Sequence, residues 1–358
     1  MGKQAITIDC RMIDSSGVGS YLRGIIPYFL KSNNALTLLG NSKKILSFFP
    51  GINVPILECN ITPFTIKDQF FFDKKILKII NNTDIYFSPF FNIPHGIKIP
   101  VYTTIHDIVF PDIKSISSCI GLGLRMVCYR RAYRVSKKIF TVSIFSKSRI
   151  EYHLGNKKPV IVTYESINDK FYEFRKKSNN IKKKEDIVFI GNIKKHKGLD
   201  TLIDAFLQAK SEGLPHNLIF IGNINKLRTT NTSVLKRIRS LNCSSIKLTG
   251  FISDEELMDV LSSASLLVHP SLYEGFGLPP LEALVLGTSA LISDIPVFKE
   301  IYKDYPITFF KTGDCNDLKT KLLELLYNKE PSVPELSVEL LSKYSFEKTT
   351  SIILKELQ

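Results

Sequence analysis

Residues 268–284 read Val268-His269-Pro270-Ser271-Leu272-Tyr273-Glu274-Gly275-Phe276-Gly277-Leu278-Pro279-Pro280-Leu281-Glu282-Ala283-Leu284. Two carboxylates, Glu274 and Glu282, bracket a pair of glycines. The apolar run before them reads as a strand. The stretch from Pro280 reads as a helix, because proline is favourable in a helix's first turn. Gly275 and Gly277 let backbone approach a ligand closely. The N–H groups of Phe276, Gly277 and Leu278 then face the helix entry, where an anion is stabilised. Carboxylates beside such a cradle cannot themselves bind phosphate. Glu274 and Glu282 are suited instead to accepting hydrogen bonds from sugar hydroxyls.

Other loops need elements to position them. A second glycine pair, Gly17-Val18-Gly19, follows the strand at 5–9 and precedes a helical pattern from Tyr21 to Lys31. His106 follows a strand at 101–105. Alone, a G-x-G pair is as readily a plain strand–helix turn, and a single His is more often structural. Further strands are expected at 84–88 and 138–142, with helices at 67–80, 117–136 and 146–153. The basic stretch from Arg175 to Lys184 reads as a solvated linker. Beyond it, strands are expected at 186–190, 218–221, 246–248, 265–268 and 289–292. Helices at 199–212, 232–241, 254–263 and 280–286 fall between them, and residues 336–358 form a last amphipathic helical pattern. Alternation of this kind implies parallel sheets covered by helices, with ligands at the carboxyl ends of the strands. The loops after strands are therefore the places to look for chemistry.

A chain of 358 residues suggests two domains. With 44% hydrophobic and 23% charged residues it is ordinary globular material, not a disordered chain. No apolar run reaches the roughly 18 residues that cross a bilayer, and the start of the chain lacks a signal peptide's apolar core. Six scattered cysteines without a CxxC pair argue against structural zinc and a disulfide framework, and for a reducing cytoplasm. The net charge of +14 is lopsided. Residues 1–180 hold 26 Lys+Arg against 12 Asp+Glu, whereas residues 181–358 hold 22 of each. The first half therefore expects an anionic partner.

The stretch 268–284 resembles the E-x7-E signature of glycosyltransferase family 4. Several other segments agree with it in order and spacing. Ile8-Asp9-Cys10-Arg11 with Gly17-Val18-Gly19-Ser20-Tyr21-Leu22 resembles the family's opening strand and glycine loop. His106-Asp107 resembles the HD motif of its mannosyltransferase-like branch, and Val142-Ser143-Ile144-Phe145-Ser146-Lys147 resembles that branch's vSxfSk stretch. Phe189-Ile190-Gly191-Asn192 with His196-Lys197-Gly198-Leu199 resembles the phosphate-binding segment of the second domain. Tyr344-Ser345-Phe346-Glu347-Lys348 resembles the family's last helix.

The resemblance implies an α/β chain of GT-B fold: two Rossmann-like doubly wound domains facing across a cleft, with a C-terminal helix crossing back. The expected division is an acceptor-side domain at 1–175, a linker at 176–184, a nucleotide-sugar domain at 185–334 and the returning helix at 335–358. It also implies a retaining enzyme that moves a hexose from a nucleotide-diphosphate sugar to a saccharide acceptor by front-face displacement. The departing phosphate oxygen takes the acceptor's proton, so no carboxylate need act as base. The HD branch tilts the donor towards GDP-mannose. Glu282 would accept from the ribose hydroxyls and Glu274 from hydroxyls of the donor sugar. Lys197 would neutralise the diphosphate, whose charge grows as the glycosidic bond breaks. Gly250, Phe251 and Ile252 would meet the base through backbone groups, and His106 would contact the donor sugar. Gly17, Val18 and Gly19 would bring amides to the diphosphate, and Tyr273, Gly275, Phe276, Gly277 and Leu278 would line the sugar and phosphate. Asn192 stands where many members carry Arg, which leaves Lys194 or Lys195 to supply that charge. No cofactor and no metal are expected, since no DxD stands in a suitable loop.

The basic first half then suits an anionic membrane and a lipid-linked acceptor, as in bacterial O-antigen or capsule synthesis on the inner membrane face. Residues 67–80 and 125–138 interleave cations with aromatics, as a peripheral helix would. Two rival readings are another GT-B enzyme, such as a nucleotide-sugar epimerase, and a basic nucleic-acid-binding protein. For the latter, no recognition helix, zinc site or RNP-like sheet is visible.

Overall fold

The computed structural model describes residues 3–15, 17–113, 116, 119–177, 181–222, 232–241, 243–327, 329 and 333–358. Ser16, residues 117–118 of one expected helix, residues 178–180 of the expected linker and Pro331 lie outside the described residues. The chain divides into two compact units. Met1–Pro111, Cys119–Asn168 and Tyr344–Gln358 make the first; Asp112–Ser118 and Asp169–Lys343 make the second.

The first unit holds a sheet of seven strands: β1 (Ala5–Asp9), β2 (Ala35–Gly40), β3 (Ile56–Glu58), β4 (Ile85–Ser88), β5 (Val101–Thr104), β6 (Ser136–Thr141) and β7 (Val160–Val162). Their order is β3-β2-β1-β4-β5-β6-β7, parallel throughout. Every residue of β4 and β5 is buried. Strands covered on both faces read as runs without polar alternation, as Ile85-Tyr86-Phe87 in β4 does. Strand order reverses between β1 and β4, so loops leaving those strands splay to opposite sides.

The expected helix at 67–80 is two helices, Ile66–Phe70 and Lys74–Ile80. Asp73 breaks it. Its carboxylate accepts from the Lys75 and Ile76 amides at 2.7 and 3.3 Å, and so starts a new helix where the apolar pattern ran on. Gly17-Val18-Gly19, expected to precede the helix from Tyr21, lies inside it, since the helix Gly17–Leu30 already includes all three residues.

The helical pattern at 336–358 divides too. Val338–Lys343 belongs to the second unit, and Phe346–Leu357 to the first. Ser345 starts the latter by accepting from the Lys348 amide at 3.2 Å. Phe346, Ile353 and Leu357 pack into the core formed by Tyr21, Ile25 and Phe29 with strands β1, β2 and β4. Gly24 makes this possible, because a Cβ there would lie 2.2 Å from a ring carbon of Phe346.

The second unit holds six strands: β8 (Lys184–Ile190), β9 (Asn217–Ile221), β10 (Ile246–Gly250), β11 (Ala264–His269), β12 (Ser289–Ser293) and β13 (Thr308–Phe310). Their order is β10-β9-β8-β11-β12-β13, again parallel throughout. Counted from its own first strand this is 3-2-1-4-5-6, the Rossmann order. The helix Asp254–Ser263 has three acidic residues in its first turn, Asp254, Glu255 and Glu256, which its dipole favours there. Ser253 Oγ accepts from the Glu256 amide at 3.2 Å, and Glu256 Oε2 accepts from the Ser253 amide at 2.9 Å. The helix Asp169–Lys177 lies in this unit, so the division falls at Asn168, inside the span expected for the first domain. No described helix is long and apolar enough to cross a membrane.

Candidate active site

In the second unit strand order reverses between β8 and β11, which makes the loops after these two strands the natural walls of a ligand crevice. After β8 the chain passes Gly191, half-buried Asn192 and Lys194, and exposed Lys195. It then makes one 3-10 turn, Lys195–Lys197, ended by Gly198 at φ 64° before the helix Leu199–Ser211. A Cβ at Gly198 would lie 2.0 Å from the Pro270 carbonyl oxygen. Glycine thus lets the loop after β8 touch the loop after β11, and the Leu272 amide donates to the His196 carbonyl at 2.8 Å across the same seam.

That seam delivers Lys197 to Glu274. Lys197 Nζ donates to Glu274 Oε1. The same oxygen accepts from Ser271 Oγ at 2.7 Å and from His269 Nε2 at 3.0 Å. All three donors converge on Oε1, and Oε2 takes none of them. Burial pushes the Glu274 carboxyl upward, but the Lys197 cation and the His269 hydrogen bond outweigh it, holding the group well below the usual carboxylate range. Glu274 is therefore an ionised acceptor with one oxygen pinned and one to offer. Burial lowers His269, and burial with the Lys197 charge lowers His196 to about 3, so both imidazoles are neutral. His269 Nε2 faces a carboxylate and so carries the proton; its Nδ1 finds no partner among the described residues.

Tyr273 and Phe276 are buried beside this group, and the Tyr302 hydroxyl donates to the Gly277 carbonyl. The helix after Leu278 is Pro279–Val285, seven residues whose first two are prolines without N–H. Glu282, inside it, has a different environment from Glu274. Burial, then the neighbouring Asp254 charge, raise it to about 7 against the opposing pull of Lys170. Lys170 and Asp254 are themselves paired. At the end of β10, Phe251 is 82% exposed, while Ile252 packs among Val188, Ile219 and Ile221.

In the first unit His106 is packed edge-on against Tyr21, with ring centroids 4.8 Å apart. Its Nε2 lies 3.0 Å from the Pro89 carbonyl, an acceptor only, so Nε2 carries the proton. Burial lowers this imidazole to about 4. Its Nδ1, 3.9 Å from Glu165 Oε1, is then an acceptor. The glycine pair behaves differently from expectation: the Gly19 amide donates to Ser15 Oγ at 3.1 Å and is not open to an anion, whereas Gly17 is exposed. His269 and Ser271 carry no role in the E-x7-E pattern itself. Their spacing, five and three residues before Glu274 on one strand–loop segment, was the available signal.

Known proteins share the fold. HepE of Anabaena, solved with UDP-glucose, matches over 99% of both chains with a TM-score of 0.75 at 15% identity. Sucrose-phosphate synthase of Thermosynechococcus elongatus matches 99% of this chain and 98% of its own with a TM-score of 0.67 at 13% identity. The fold is thus the expected α/β class, two Rossmann-like units shared with GT-B glycosyltransferase structures. An uncharacterized glycosyltransferase of Methanocaldococcus jannaschii is 29% identical over 223 residues, 62% of this chain and 59% of that protein. The O-antigen chain mannosyltransferase RfbU of Salmonella typhimurium is 31% identical over 208 residues, 55% of this chain and 53% of that protein. The chain thus spans little more than half the length of these two relatives. Residues 170–337, which carry Lys197, Glu274 and Glu282, match the family described as Glycosyl transferases group 1.

Proposed function

We propose that this chain is a retaining glycosyltransferase of family 4. It moves a hexose, mannose by preference, from a nucleotide-diphosphate sugar to a saccharide acceptor carried on lipid, in bacterial surface-polysaccharide synthesis. The observation that carries this reading is the Lys197–Glu274 pair at the β8/β11 reversal, with Glu274 fixed by His269 and Ser271. Support comes from the family match over 170–337 and from the relatives named as O-antigen mannosyltransferases.

In this reading Lys197 has ammonium protons beyond the one given to Glu274, and these meet the diphosphate. As the bond from sugar C1 to the phosphate oxygen breaks, charge grows on that oxygen and Lys197 stabilises it. The acceptor oxygen bonds to C1 on the same face, and its proton passes to the departing phosphate oxygen. Glu274 Oε2 accepts from sugar hydroxyls, and Glu282 accepts from the ribose. No metal or cofactor takes part. Incubating the purified protein with GDP-mannose and a panel of UDP-sugars should give slow release of nucleoside diphosphate from one of them. Release from none overturns the reading.

The ribose role gives a pH signature. Glu282 accepts best as a carboxylate, so nucleotide affinity should rise with pH through about 7. Glu282→Gln should weaken binding by about 1.5–3 kcal/mol at pH 8, less at pH 6, and flatten the pH dependence. Calorimetric titration with the free nucleotide at both pH values measures this. Stability runs the other way. The native carboxyl holds its proton longer than the unfolded one, so it costs stability as pH rises from the model-peptide value of 4.5 towards 7. Glu282→Gln should abolish that loss.

The same reading places the protein on the inner membrane face. The helix Cys119–Val135 turns Ile120, Leu124 and Val127 to solvent, 79%, 66% and 62% exposed, at the i, i+4, i+7 spacing of one face. Arg130 and Arg134 continue it and are exposed. The cations expected at 125–138 are not all available. Arg125 donates to the Gly121 carbonyl, Arg131 to those of Ile93 and Pro94, and Lys138 pairs with Glu356. Neutralising Lys74, Lys75, Lys78, Arg130 and Arg134 should cost several kcal/mol of binding to anionic vesicles, at about 1 kcal/mol per charge. Donor hydrolysis should persist. Co-sedimentation with phosphatidylserine vesicles at low and high salt decides it, and equal binding of both proteins refutes the membrane role.

A further inference from the structure

At the carboxyl ends of β1, β2 and β3 the chain from Cys59 to Asp73 folds over a buried charge network. Arg11 and its partners Asp9 and Asp68 have side chains at most 1% exposed. Arg11 Nε and Nη2 donate to Asp9 at 2.9 and 2.7 Å, and Nη1 to Asp68 at 2.5 Å. The Tyr86 hydroxyl donates to Asp9 at 2.7 Å. The other Asp68 oxygen accepts from the Asn92 amide and from the Phe64 backbone N–H at 3.0 Å. Phe64 is thereby held at φ 65°, a conformation an aromatic residue avoids without such support.

Arg11 Nη1 also donates to the Ile61 carbonyl at 3.5 Å, and Ile61 lines a cavity of about 570 Å3 together with Glu58, Asn60, Lys67, Phe71, Asp73 and their neighbours. The volume is in the range of small-molecule sites. Phe71 is 71% exposed in it, whereas the next residue, Phe72, is buried with the Arg11 guanidinium 5.2 Å from its ring centre. A phenyl face left to water serves no core. Around it stand an amide, two hydroxyls, two carboxylates and an ammonium group; the Asn60 amide donates to Glu58 at 2.8 Å, and Asp73 offers the carboxylate oxygen that does not cap the helix. That combination suits a ligand with an apolar C–H face and several hydroxyls. Two carboxylates in the lining disfavour a free nucleotide or phosphate.

We propose that this cavity is an acceptor subsite, holding one neutral hexose unit stacked on Phe71 with its hydroxyls on the polar rim. Its role as acceptor subsite rests on the glycosyltransferase reading; its binding of sugar does not. The chain has no tryptophan, so Phe71→Trp supplies the sole indole, placed in the cavity. Titrating this variant with methyl α-mannoside and methyl α-glucoside, without nucleotide, should give a saturable change in emission with at least one sugar. Saturation-transfer NMR on the unaltered protein should show contact with the ring C–H protons of that sugar. Phe71→Ala should weaken this binding about tenfold, the size of one aromatic stack. Because Phe71 is exposed, both variants should melt with the parent protein. No saturable change with either sugar, or an unweakened signal in Phe71→Ala, overturns the proposal. Absence of donor hydrolysis with sugar binding intact would strike the glycosyltransferase reading alone.

Discussion

Replacing Lys197 by alanine is expected to lower kcat/KM for sugar transfer by about a hundred- to a thousandfold, the size of one fixed contact to a developing oxyanion. The substitution also acts on stability. Lys197 is not a solvated loop lysine: its side chain is 15% exposed and pairs with Glu274, 12% exposed. Removing one partner of such a pair leaves the other uncompensated, at a cost of about 3–5 kcal/mol. Lys197→Ala/Glu274→Gln should recover most of the lost melting temperature and none of the lost transfer, which separates the two effects. A pH series adds a sign. In the parent protein the depressed Glu274 carboxyl contributes stability above its model-peptide value of 4.5, lost as the solution is acidified. In Lys197→Ala that acid-dependent portion should shrink. Unchanged turnover in Lys197→Ala would transfer the diphosphate role to Lys194 or Lys195.

Gly198→Ala should be nearly as damaging, although alanine adds only a methyl group. The left-handed backbone costs about 1–2 kcal/mol for a residue with a Cβ. The added carbon would also sit 2.0 Å from a backbone oxygen, which no side-chain rotation relieves. The loop after β8 must then withdraw from the loop after β11, carrying Lys197 away from Glu274. Melting temperature should fall, and transfer should fall at least tenfold at temperatures where the variant is folded, since misplacing a reacting group by about 1 Å is that costly. Lys195→Ala, exposed in the same turn, should stay within about 0.5 kcal/mol of the parent stability. Calorimetry and kinetics on the two variants make the test. Parent-like behaviour of Gly198→Ala would mean the turn is not pinned.

The parts of the structure visible in the sequence are those with local signatures. The strands β4 and β11 are largely apolar runs, and β8 ends in one. The turn after β11 is written in Gly275, Gly277 and the two prolines, and the helix Asp254–Ser263 in its acidic first turn. Part of what escaped is too short for a periodicity or made by contacts distant in sequence, although the six-residue β2 and the twelve-residue helix Cys315–Leu326 escaped as well. The strands β3 and β7 have three residues each. Asp73 broke a helix that the apolar pattern continued through, because a side-chain cap competes with periodicity and wins locally. The Lys197–Glu274 pair spans 77 residues and the Arg11–Asp68 pair spans 57. Motif spacing supplied the residues of the first pair but not their contact, and nothing marked the second.

The packing of Phe346 against Gly24 has a consequence for how the protein is made. The first unit's seven strands are complete once Val162 has been synthesised, yet its core includes Phe346, Ile353 and Leu357. At about 5–20 residues per second, some 10–40 s separate the emergence of β7 from that of the closing helix. Throughout that interval Tyr21, Ile25 and Phe29 border an unfilled groove on a growing chain. The strands of the second unit, all between residues 184 and 310, can meanwhile pair and bury their own core. The half of the molecule translated first is therefore the half that finishes folding last, and its open groove is where a nascent-chain chaperone should bind.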